Sequence, residues 1–248
     1  MKKIYILWLR QIKRYLRSKS RIVGSLVQPL LYLLAMGYGF GAVYQKAGEG
    51  NYLNFLAPGI IGMSILFTSI FSGMEVIWDR QFGFLKETLV APMSRISIMV
   101  GRTLGGATVA TIQGMLVMFI SLLFGFHPNS WFALLPAILI MFLTALLFTS
   151  LGTLVASFID DMQGFQLIVS FLIMPVFFLS GALFPLQGVP PVLAIIARFD
   201  PLSYGIDALR DLLIGAGHYG LALDFLVLSA ITLLFLSLGG YFFRRIQV

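Results

Sequence analysis

Six long apolar runs dominate the pattern of hydrophobic and polar positions along this chain. An α helix rises about 1.5 Å per residue, so about 20 apolar residues cross the roughly 30 Å hydrocarbon layer of a bilayer. The pattern therefore predicts six membrane-spanning helices, at residues 22–44, 53–77, 99–125, 131–157, 164–184 and 221–243. The expected fold class is an all-α polytopic membrane protein, with residues 1–248 forming a single transmembrane domain.

The segment before the first span, residues 1–21, has helical periodicity but is too polar to cross. Apolar side chains such as Ile4, Trp8 and Tyr15 recur at helical spacing, while cations occupy the other side: Lys3, Arg10, Lys13, Arg14 and Arg17. This pattern predicts a basic amphipathic helix lying in the plane of the membrane interface. The alternative is a plain topogenic signal with no further role.

A second segment, residues 78–98, interrupts spans one to five (22–184) with charges, aromatic residues and the breakers Gly83 and Pro92. Residues 84–90 could form about two helical turns, with Phe84 and Leu85 on an apolar side and Glu87 on the opposite side. A short helix with exposed apolar residues favours docking to a partner. The alternative is a helix lying against the lipid headgroups.

The third segment, residues 185–219, contains four prolines and two apolar runs too short to cross, and it precedes the last span and tail at 220–248. Asp200 followed by Pro201 is typical of an N-cap and a first helical residue. We expect an external re-entrant hairpin of two short helices, the second with Asp207, Arg210 and Asp211 on its polar side. The hairpin could close a pathway; an ordinary amphipathic external cap is the alternative.

Composition agrees with a membrane protein, since 59% of the residues are hydrophobic and 11% are charged. The net charge of +7 is concentrated near the N-terminus, which favours contact with anionic membrane lipids and speaks against nucleic acid. If the N-terminus is cytoplasmic, 14 Lys and Arg lie inside and 3 outside. The positive-inside rule then predicts a multi-pass protein of the plasma (inner) membrane with both termini in the cytoplasm.

Only three of the charged residues lie inside the predicted spans: Glu75, Arg102 and Asp224. Each is close to a span end, so we interpret all three as reaching towards the lipid headgroups. The lack of charge at mid-membrane argues mildly against a proton- or ion-driven carrier.

Small residues and prolines recur within the spans. Gly37 with Gly41 and Gly101 with Gly105 form G-x-x-x-G pairs, which permit close packing of helices. Pro29 lies within the first span and should bend it.

Several chemistries are missing from the sequence. It has no G-x-x-x-x-G-K-[ST] phosphate loop, no H-E-x-x-H motif and no cysteine. The histidines, His127 and His218, are far apart and fall in predicted loops. We therefore expect no catalytic, metal or cofactor site in this chain, although a lipid-modifying enzyme using Asp207, Arg210 or Asp211 stays an alternative.

Three stretches in order resemble the permease subunits of type-2 ABC exporters, a family that includes drug-resistance and polysaccharide or lipid-linked glycan exporters. They are G-F-L-K-E-T-L-V-A-P-M-S-R at 83–95 followed by G-R-T-L-G-G at 101–106, P-V-F-F-L-S-G-A-L-F-P at 175–185, and D-P-L-S-Y-G-I-D-A-L-R at 200–210. The resemblance extends over nearly the whole chain.

The resemblance implies a homodimer of permeases above two separate ATPase subunits, which hold ATP and Mg²⁺. It implies a coupling helix that docks on the ATPase and comprises Phe84, Leu85, Lys86, Glu87, Thr88 and Leu89. It places the pathway on the second and fifth spans, at Phe67, Thr68, Phe71, Phe177, Phe178 and Ser180. In the external hairpin it draws attention to Asp200, Pro201, Tyr204, Asp207 and Arg210.

The function expected from this resemblance is ATP-driven export of an amphipathic solute, which could be a drug, a lipid or a lipid-linked glycan. An aromatic-rich pathway without fixed charge favours such a solute over a small ion. The alternatives are a carrier or channel that needs no ATP and the lipid-modifying enzyme.

Overall fold

The computed structural model describes residues 2–46, 51–83 and 94–243, and every regular element in these ranges is helical. The elements are α1 Lys2–Arg17, α2 Lys19–Lys46, α3 Tyr52–Phe71, α4 Met74–Gln81, α5 Arg95–Leu123, a 3-10 turn Trp131–Ala133, α6 Leu134–Ala156, α7 Met162–Leu179, α8 Pro191–Phe199, α9 Pro201–Ile214 and α10 Leu221–Phe243. The predicted all-α class is confirmed.

Six helical stretches of the described residues are long and apolar enough to cross a bilayer. Each overlaps one predicted span, so the predicted count is confirmed: Lys19–Gly41, Tyr52–Gln81, Arg95–Leu123, Trp131–Ala156, Met162–Leu179 and Leu221–Phe242. The molecule is a polytopic membrane protein.

The second span was predicted as one helix but consists of α3 and α4, because the chain turns at Ser72 and Gly73. The Gly73 N–H donates to the Ile70 carbonyl at 3.0 Å. This bond spans three residues instead of the four of an α helix, so the backbone turns more tightly here. Gly73 also lies against the backbone of Gly152 in α6, where a side chain on either glycine would collide with the neighbouring main chain. The break therefore depends on a contact between distant residues.

The fifth span ends at Leu179 rather than at the predicted residue 184. The Ser180 hydroxyl donates to the Phe177 carbonyl at 2.8 Å, and Gly181 has φ 74°, a left-handed conformation that ends the helix. The chain then turns into the protein interior, where Ala182 is buried.

The predicted hairpin helices are present as α8 and α9, and neither is long enough to cross. Asp200 Oδ1 accepts the Leu202 N–H at 2.9 Å, and Pro201 is the first residue of α9, so the predicted cap is confirmed. Gly215 ends α9 with φ 67°.

The helices differ in how deeply they are buried. The central helix is α3, which packs against α2, α5, α6 and α9 and is buried along most of its length. In contrast, only a small part of α2, α7 and α10 is buried. Apolar exposure of this kind suits helices that face lipid or another subunit.

Loops and short helices gather at two ends of the bundle. The end with α1, α4 and residues 157–161 is called the basic end; there Arg80 pairs with Asp160. The end with residues 124–130 and 180–220 is called the hairpin end; there the Asn129 N–H donates to the Leu213 carbonyl at 2.8 Å.

Candidate functional site

The basic helix predicted at the start of the chain is present as α1, and it packs along the first half of α5. Leu7 faces Gly101 and Gln11 faces Gly105, so the two helices run in the same direction. A methyl group added at Gly105 would lie 2.7 Å from Gln11 Cβ, and one at Gly101 would lie 3.0 Å from Leu7 Cβ. The second predicted G-x-x-x-G pair therefore seats α1.

Two side-chain hydrogen bonds fix α1 further along α5. The Trp8 indole N–H donates to Thr108 Oγ1 at 3.0 Å, and the buried Tyr15 hydroxyl donates to Gln113 Oε1. A helix lying flat in the membrane interface would cross a spanning helix steeply, whereas α1 follows one. The amphipathic helix is as predicted, but its inclination differs because the two glycines let it approach α5 closely.

Six charged side chains from four helices meet at the basic end beside α1. We call them the ion-pair cluster: Arg10, Arg14, Arg21, Glu75, Asp79 and Arg102. The two carboxylates belong to α4, and the four guanidinium groups come from α1, α2 and α5.

Asp79 is the buried centre of this cluster. It pairs with Arg102 of α5, and Arg10 of α1 lies 3.4 Å from its Oδ2. Asp79 and Arg102 are each 5% exposed, so removal of one partner would leave an uncompensated charge inside the protein.

Glu75 holds the outer part of the cluster. Arg21 Nη1 lies 2.8 Å and Arg14 Nη1 lies 3.7 Å from its carboxylate oxygens. The interpretation that Glu75, Arg102 and Asp224 reach towards headgroups is wrong, because Glu75 and Arg102 are paired within the protein and Asp224 is fully buried in it. Of the other cations predicted on α1, Lys13 and Arg17 are exposed and have no ion pair within the described ranges.

The ion-pair cluster joins the two helices that flank the predicted coupling helix. Asp79 lies near the end of α4, and Arg102 lies near the start of α5. The predicted coupling residues themselves lie outside the described residues: Phe84, Leu85, Lys86, Glu87, Thr88 and Leu89.

Residues 101–106, the G-R-T-L-G-G stretch, connect this cluster to the rest of the bundle. Besides seating α1 and pairing with α4, the stretch approaches the α3–α4 break through Gly106. A methyl group at Gly106 would lie 2.6 Å from Ser72 Oγ and 2.8 Å from Thr149 Cγ2 of α6.

A cavity of about 230 Å³ opens between α1, α2 and α3 next to the ion-pair cluster. Three predicted pathway residues line it: Phe67, Thr68 and Phe71. The rings of Phe67 and Phe71 stack with centroids 6.4 Å apart. Five polar residues that were not predicted from the sequence share the lining: Tyr15, Arg21, Ser25, Gln28 and Ser64.

This cavity offers hydrogen-bonding groups beside aromatic rings. Ser64 is 3% exposed, and its hydroxyl has no hydrogen-bond partner in the described structure. Pro29 has no N–H to give to the Ser25 carbonyl, which lacks its usual helical donor. The polar Gln28 next to Pro29 in an apolar run is the sequence signal that could have indicated this site, since polar side chains within spans are costly.

The predicted pathway residues of the fifth span do not line this cavity. Phe177 is buried and meets Tyr32 edge-on at 6.1 Å, and Phe178 is 43% exposed. Ser180 is buried at the end of α7. A single chain therefore does not bring the two sets of pathway residues together.

Arg210 is the buried centre of the hairpin end. Its Nη2 donates to the Gly181 carbonyl at 2.8 Å and to the Ala182 carbonyl at 3.1 Å, and its guanidinium carbon lies 3.8 Å from the centroid of the Phe55 ring. These contacts tie α9 to the turn after α7 and to α3.

Asp207 and Tyr204 complete the fastening of the hairpin. The Asp207 carboxylate accepts the His218 N–H at 2.8 Å and the Tyr219 N–H at 2.7 Å. The Tyr204 hydroxyl donates to the Arg198 carbonyl at 2.7 Å. The polar side expected for the second hairpin helix is not exposed at Asp207 and Arg210, because both are buried against backbone groups, which speaks against the alternative of an ordinary amphipathic external cap.

Most of the chain is similar in sequence to one known protein family. Residues 2–214, most of the chain, match the family described as ABC-2 type transporter. The chain belongs to that family. Nodulation protein J of Rhizobium leguminosarum bv. trifolii is 30% identical to this ABC-2 transporter chain over 213 residues, or 85% of this chain and 78% of that protein.

A second relative is named as a transport protein. "Putative transport permease ycf38" of Cyanophora paradoxa is 31% identical over 219 residues, which cover 86% of this chain and 74% of that protein. The ABC-2 chain is thus a multi-pass permease subunit of an ABC transporter, and its family implies partnership with an ABC ATPase subunit.

Two ionisable groups at the hairpin end of this ABC-2 permease are perturbed by burial. Burial lowers the pKa of Arg210 to about 10, although the nearby Asp207 carboxylate opposes the shift, so the guanidinium stays protonated at neutral pH. Burial raises the pKa of Asp200 to about 7 against the opposing hydrogen bond from the Leu202 N–H.

The hairpin contacts also bear on the lipid-modifying alternative. Asp207 and Arg210 direct their polar atoms to backbone groups of the same chain. Of the three residues considered for such an enzyme, Asp211 alone is left without those structural contacts, and a single carboxylate makes a poor acid–base site.

Proposed function

We propose that this chain is the permease of an ATP-driven exporter that moves an amphipathic solute, such as a drug, a lipid or a lipid-linked glycan, out of the cytoplasm. Two copies pair as a homodimer in the plasma membrane, with both termini in the cytoplasm. Two separate ATPase subunits bind ATP and Mg²⁺, since the permease sequence has no phosphate loop.

The ion-pair cluster is the observation that carries this proposal. A displacement of residues 84–93 by an ATPase would act on the end of α4 and the start of α5, which Asp79 and Arg102 join. Through Arg10 and Arg14 the same displacement would reach α1.

The cavity beside the cluster supports an amphipathic solute. Phe67 and Phe71 present aromatic surface, whereas Ser64 and Gln28 present hydrogen-bonding groups. The cavity adjoins the cluster through Arg21, so movement of α4 would alter its walls.

Exposed apolar side chains on α7 support pairing with a second copy. Leu167 is 72% exposed and Phe171 is 85% exposed, and both face away from the rest of the chain. Pairing along this helix would bring the fifth-span residues towards the cavity of the partner copy.

Reconstitution tests the proposal. The permease is placed in proteoliposomes with and without its ATPase subunit, and uptake of a fluorescent amphipathic dye into inside-out vesicles is measured with ATP. We expect uptake that requires both ATP and the ATPase; equal transport by the permease alone would overturn the proposal in favour of a carrier or channel.

Glu87→Arg tests the coupling segment separately. The charge reversal should weaken retention of the ATPase on the purified permease and leave the elution volume and thermal stability of the permease unchanged. Arg198→Glu, a reversal of one exposed charge at the hairpin end, serves as the control. Unchanged ATPase retention and dye-stimulated hydrolysis in the Glu87 variant would remove the coupling assignment.

A further inference from the structure

An open groove of about 930 Å³ lies between α1 and the start of α2 at the basic end. Its apolar lining includes Leu9 and Ile6, and Ile6 is 62% exposed. Five cationic side chains surround it: Arg10, Lys13, Arg14, Arg17 and Lys19. We call this the α1–α2 groove.

Positive charge in the α1–α2 groove is poorly compensated. The nearby carboxylates of Glu75 and Asp79 also serve Arg21 and Arg102, which lie outside the groove. Three groove cations, Lys13, Arg17 and Lys19, have no ion pair in the part of the chain that the structure describes. Concentrated like charge repels itself, so an anion bound here would stabilise the docked position of α1.

The chemistry of the α1–α2 groove distinguishes between possible anions. A free phosphate would use the cations but leave Ile6 and Leu9 in water. An anionic phospholipid supplies a phosphate and an apolar chain in one molecule, and the groove offers cations beside exposed apolar surface. The site is also next to the start of α2, the first spanning helix, where headgroups are available.

We propose that the α1–α2 groove binds an anionic phospholipid, with its phosphate among the five cations and an acyl chain against Ile6 and Leu9. Because Arg10 and Arg14 also pair with Asp79 and Glu75, the lipid fastens α1 to α4. This site is independent of the ATPase, so its test does not depend on the exporter proposal.

The test uses the full chain in nanodiscs of phosphatidylcholine with or without phosphatidylglycerol. We expect phosphatidylglycerol to raise the thermal unfolding temperature and to stay bound during native mass spectrometry after transfer to neutral detergent. Each Lys or Arg near an anionic lipid surface contributes about fivefold in affinity. The triple variant K13Q/R17Q/K19Q should therefore lose at least about tenfold in phosphatidylglycerol retention.

Matched variants separate charge from structure. The charge-conserving variant K13R/R17K/K19R should keep wild-type retention, and Arg198→Gln, which removes an exposed cation at the hairpin end, should leave it unchanged. Lys13→Gln alone should lose about fivefold, which provides a milder test if the triple variant unfolds. Added salt should weaken retention by screening the cations.

Three outcomes would overturn the proposal. They are equal retention of phosphatidylcholine, wild-type retention of phosphatidylglycerol by the neutralised variants, and stabilisation by inorganic phosphate that equals stabilisation by phosphatidylglycerol. The last result would indicate a site for a soluble anion instead of a lipid.

Discussion

The two ends of the bundle hold their charged residues in different ways. At the basic end, Asp79 and Glu75 bind guanidinium groups, so side chains pair with side chains across four helices. At the hairpin end, Arg210 binds carbonyl groups and Asp207 binds N–H groups, so side chains pair with the main chain.

This difference has a mechanical meaning. A carboxylate that has two guanidinium partners can release one and keep the other, so helices at the basic end can shift while their charges stay paired. Arg210 cannot release the Gly181 carbonyl without leaving buried polar groups unpaired, which costs about 1–3 kcal/mol for each group. We infer that the basic end rearranges and that the hairpin end moves as one body.

Arg210→Ala should have the largest effect on stability. It leaves Gly181 and Ala182 carbonyl groups and the Asp207 carboxylate without their buried cation, and we expect a loss of about 3–5 kcal/mol in the free energy of unfolding. Denaturant unfolding in detergent measures the loss. Arg198→Ala, at an exposed position on the neighbouring helix, should change stability by about 0.5 kcal/mol or less. Similar losses of unfolding free energy for both variants would show that the buried, hydrogen-bonded Arg210 contributes no more to stability than the exposed Arg198.

Asp79→Asn should follow in size, because it leaves the buried Arg102 without a counter-charge. We expect a loss of about 3 kcal/mol in unfolding free energy, compared with about 1 kcal/mol or less for Glu75→Gln, whose arginine partners are partly exposed. Adding Arg102→Met to the Asp79 variant should restore part of the loss. A larger loss of unfolding free energy for Glu75→Gln than for Asp79→Asn would contradict the assignment of Asp79 as the centre of the ion-pair cluster.

Gly105→Val should push α1 away from α5 at a cost of about 1–3 kcal/mol. The chain has no cysteine, so a single Thr108→Cys replacement provides a clean probe beneath Trp8. Maleimide should label that cysteine faster when Gly105 is replaced. Gly41→Val, at a glycine with no neighbour within 4 Å of the added Cβ, is the control and should leave the rate unchanged.

Asp200→Asn should produce the smallest effect in acid, where both side chains are uncharged, and an effect that grows as the pH rises. Burial raises the pKa of Asp200 to about 7, above the roughly 3.9 of an exposed aspartate, so its contribution to stability is present in acid and is lost as the pH rises from about 4 to about 7. Asparagine also caps a helix but does not titrate. The wild-type unfolding temperature should therefore fall more steeply over this range than that of the variant, and parallel curves would contradict the assignment.

The features predicted correctly from the sequence are those that depend on neighbours in the chain. Apolar runs of sufficient length predicted six spans, and the pair Asp200 and Pro201 predicted the start of α9, because a cap and its helix adjoin. Phe67, Thr68 and Phe71, which the resemblance assigned to the pathway, line one cavity in the structure, and their role in transport stays a prediction.

The features that were missed depend on distant residues. The break at Gly73 needs the backbone of Gly152, which no local pattern contains. Closeness to a span end suggested that Arg102 reaches the headgroups, whereas Arg102 is buried and pairs with Asp79 of α4, a partner that no local pattern contains. The charged side chains on one side of α9 are typical of a solvent-exposed face. Arg210 instead donates to the carbonyl groups of Gly181 and Ala182, which lie in another part of the chain.

The G-R-T-L-G-G stretch, residues 101–106, has a consequence for chimeric transporters. Its glycines lie against α1 and the α3–α4 break, and its arginine, Arg102, donates to the Asp79 carboxylate of α4. A coupling segment transplanted from another permease would lie between α4 and α5, whose contacts with each other and with α1 are adapted to the original segment. If residues 84–93 dock on the ATPase as we propose, we expect compatibility with a new ATPase to require α1, α4 and this stretch together. A graft of residues 84–93 alone should then bind the ATPase but transmit its movement poorly to the bundle.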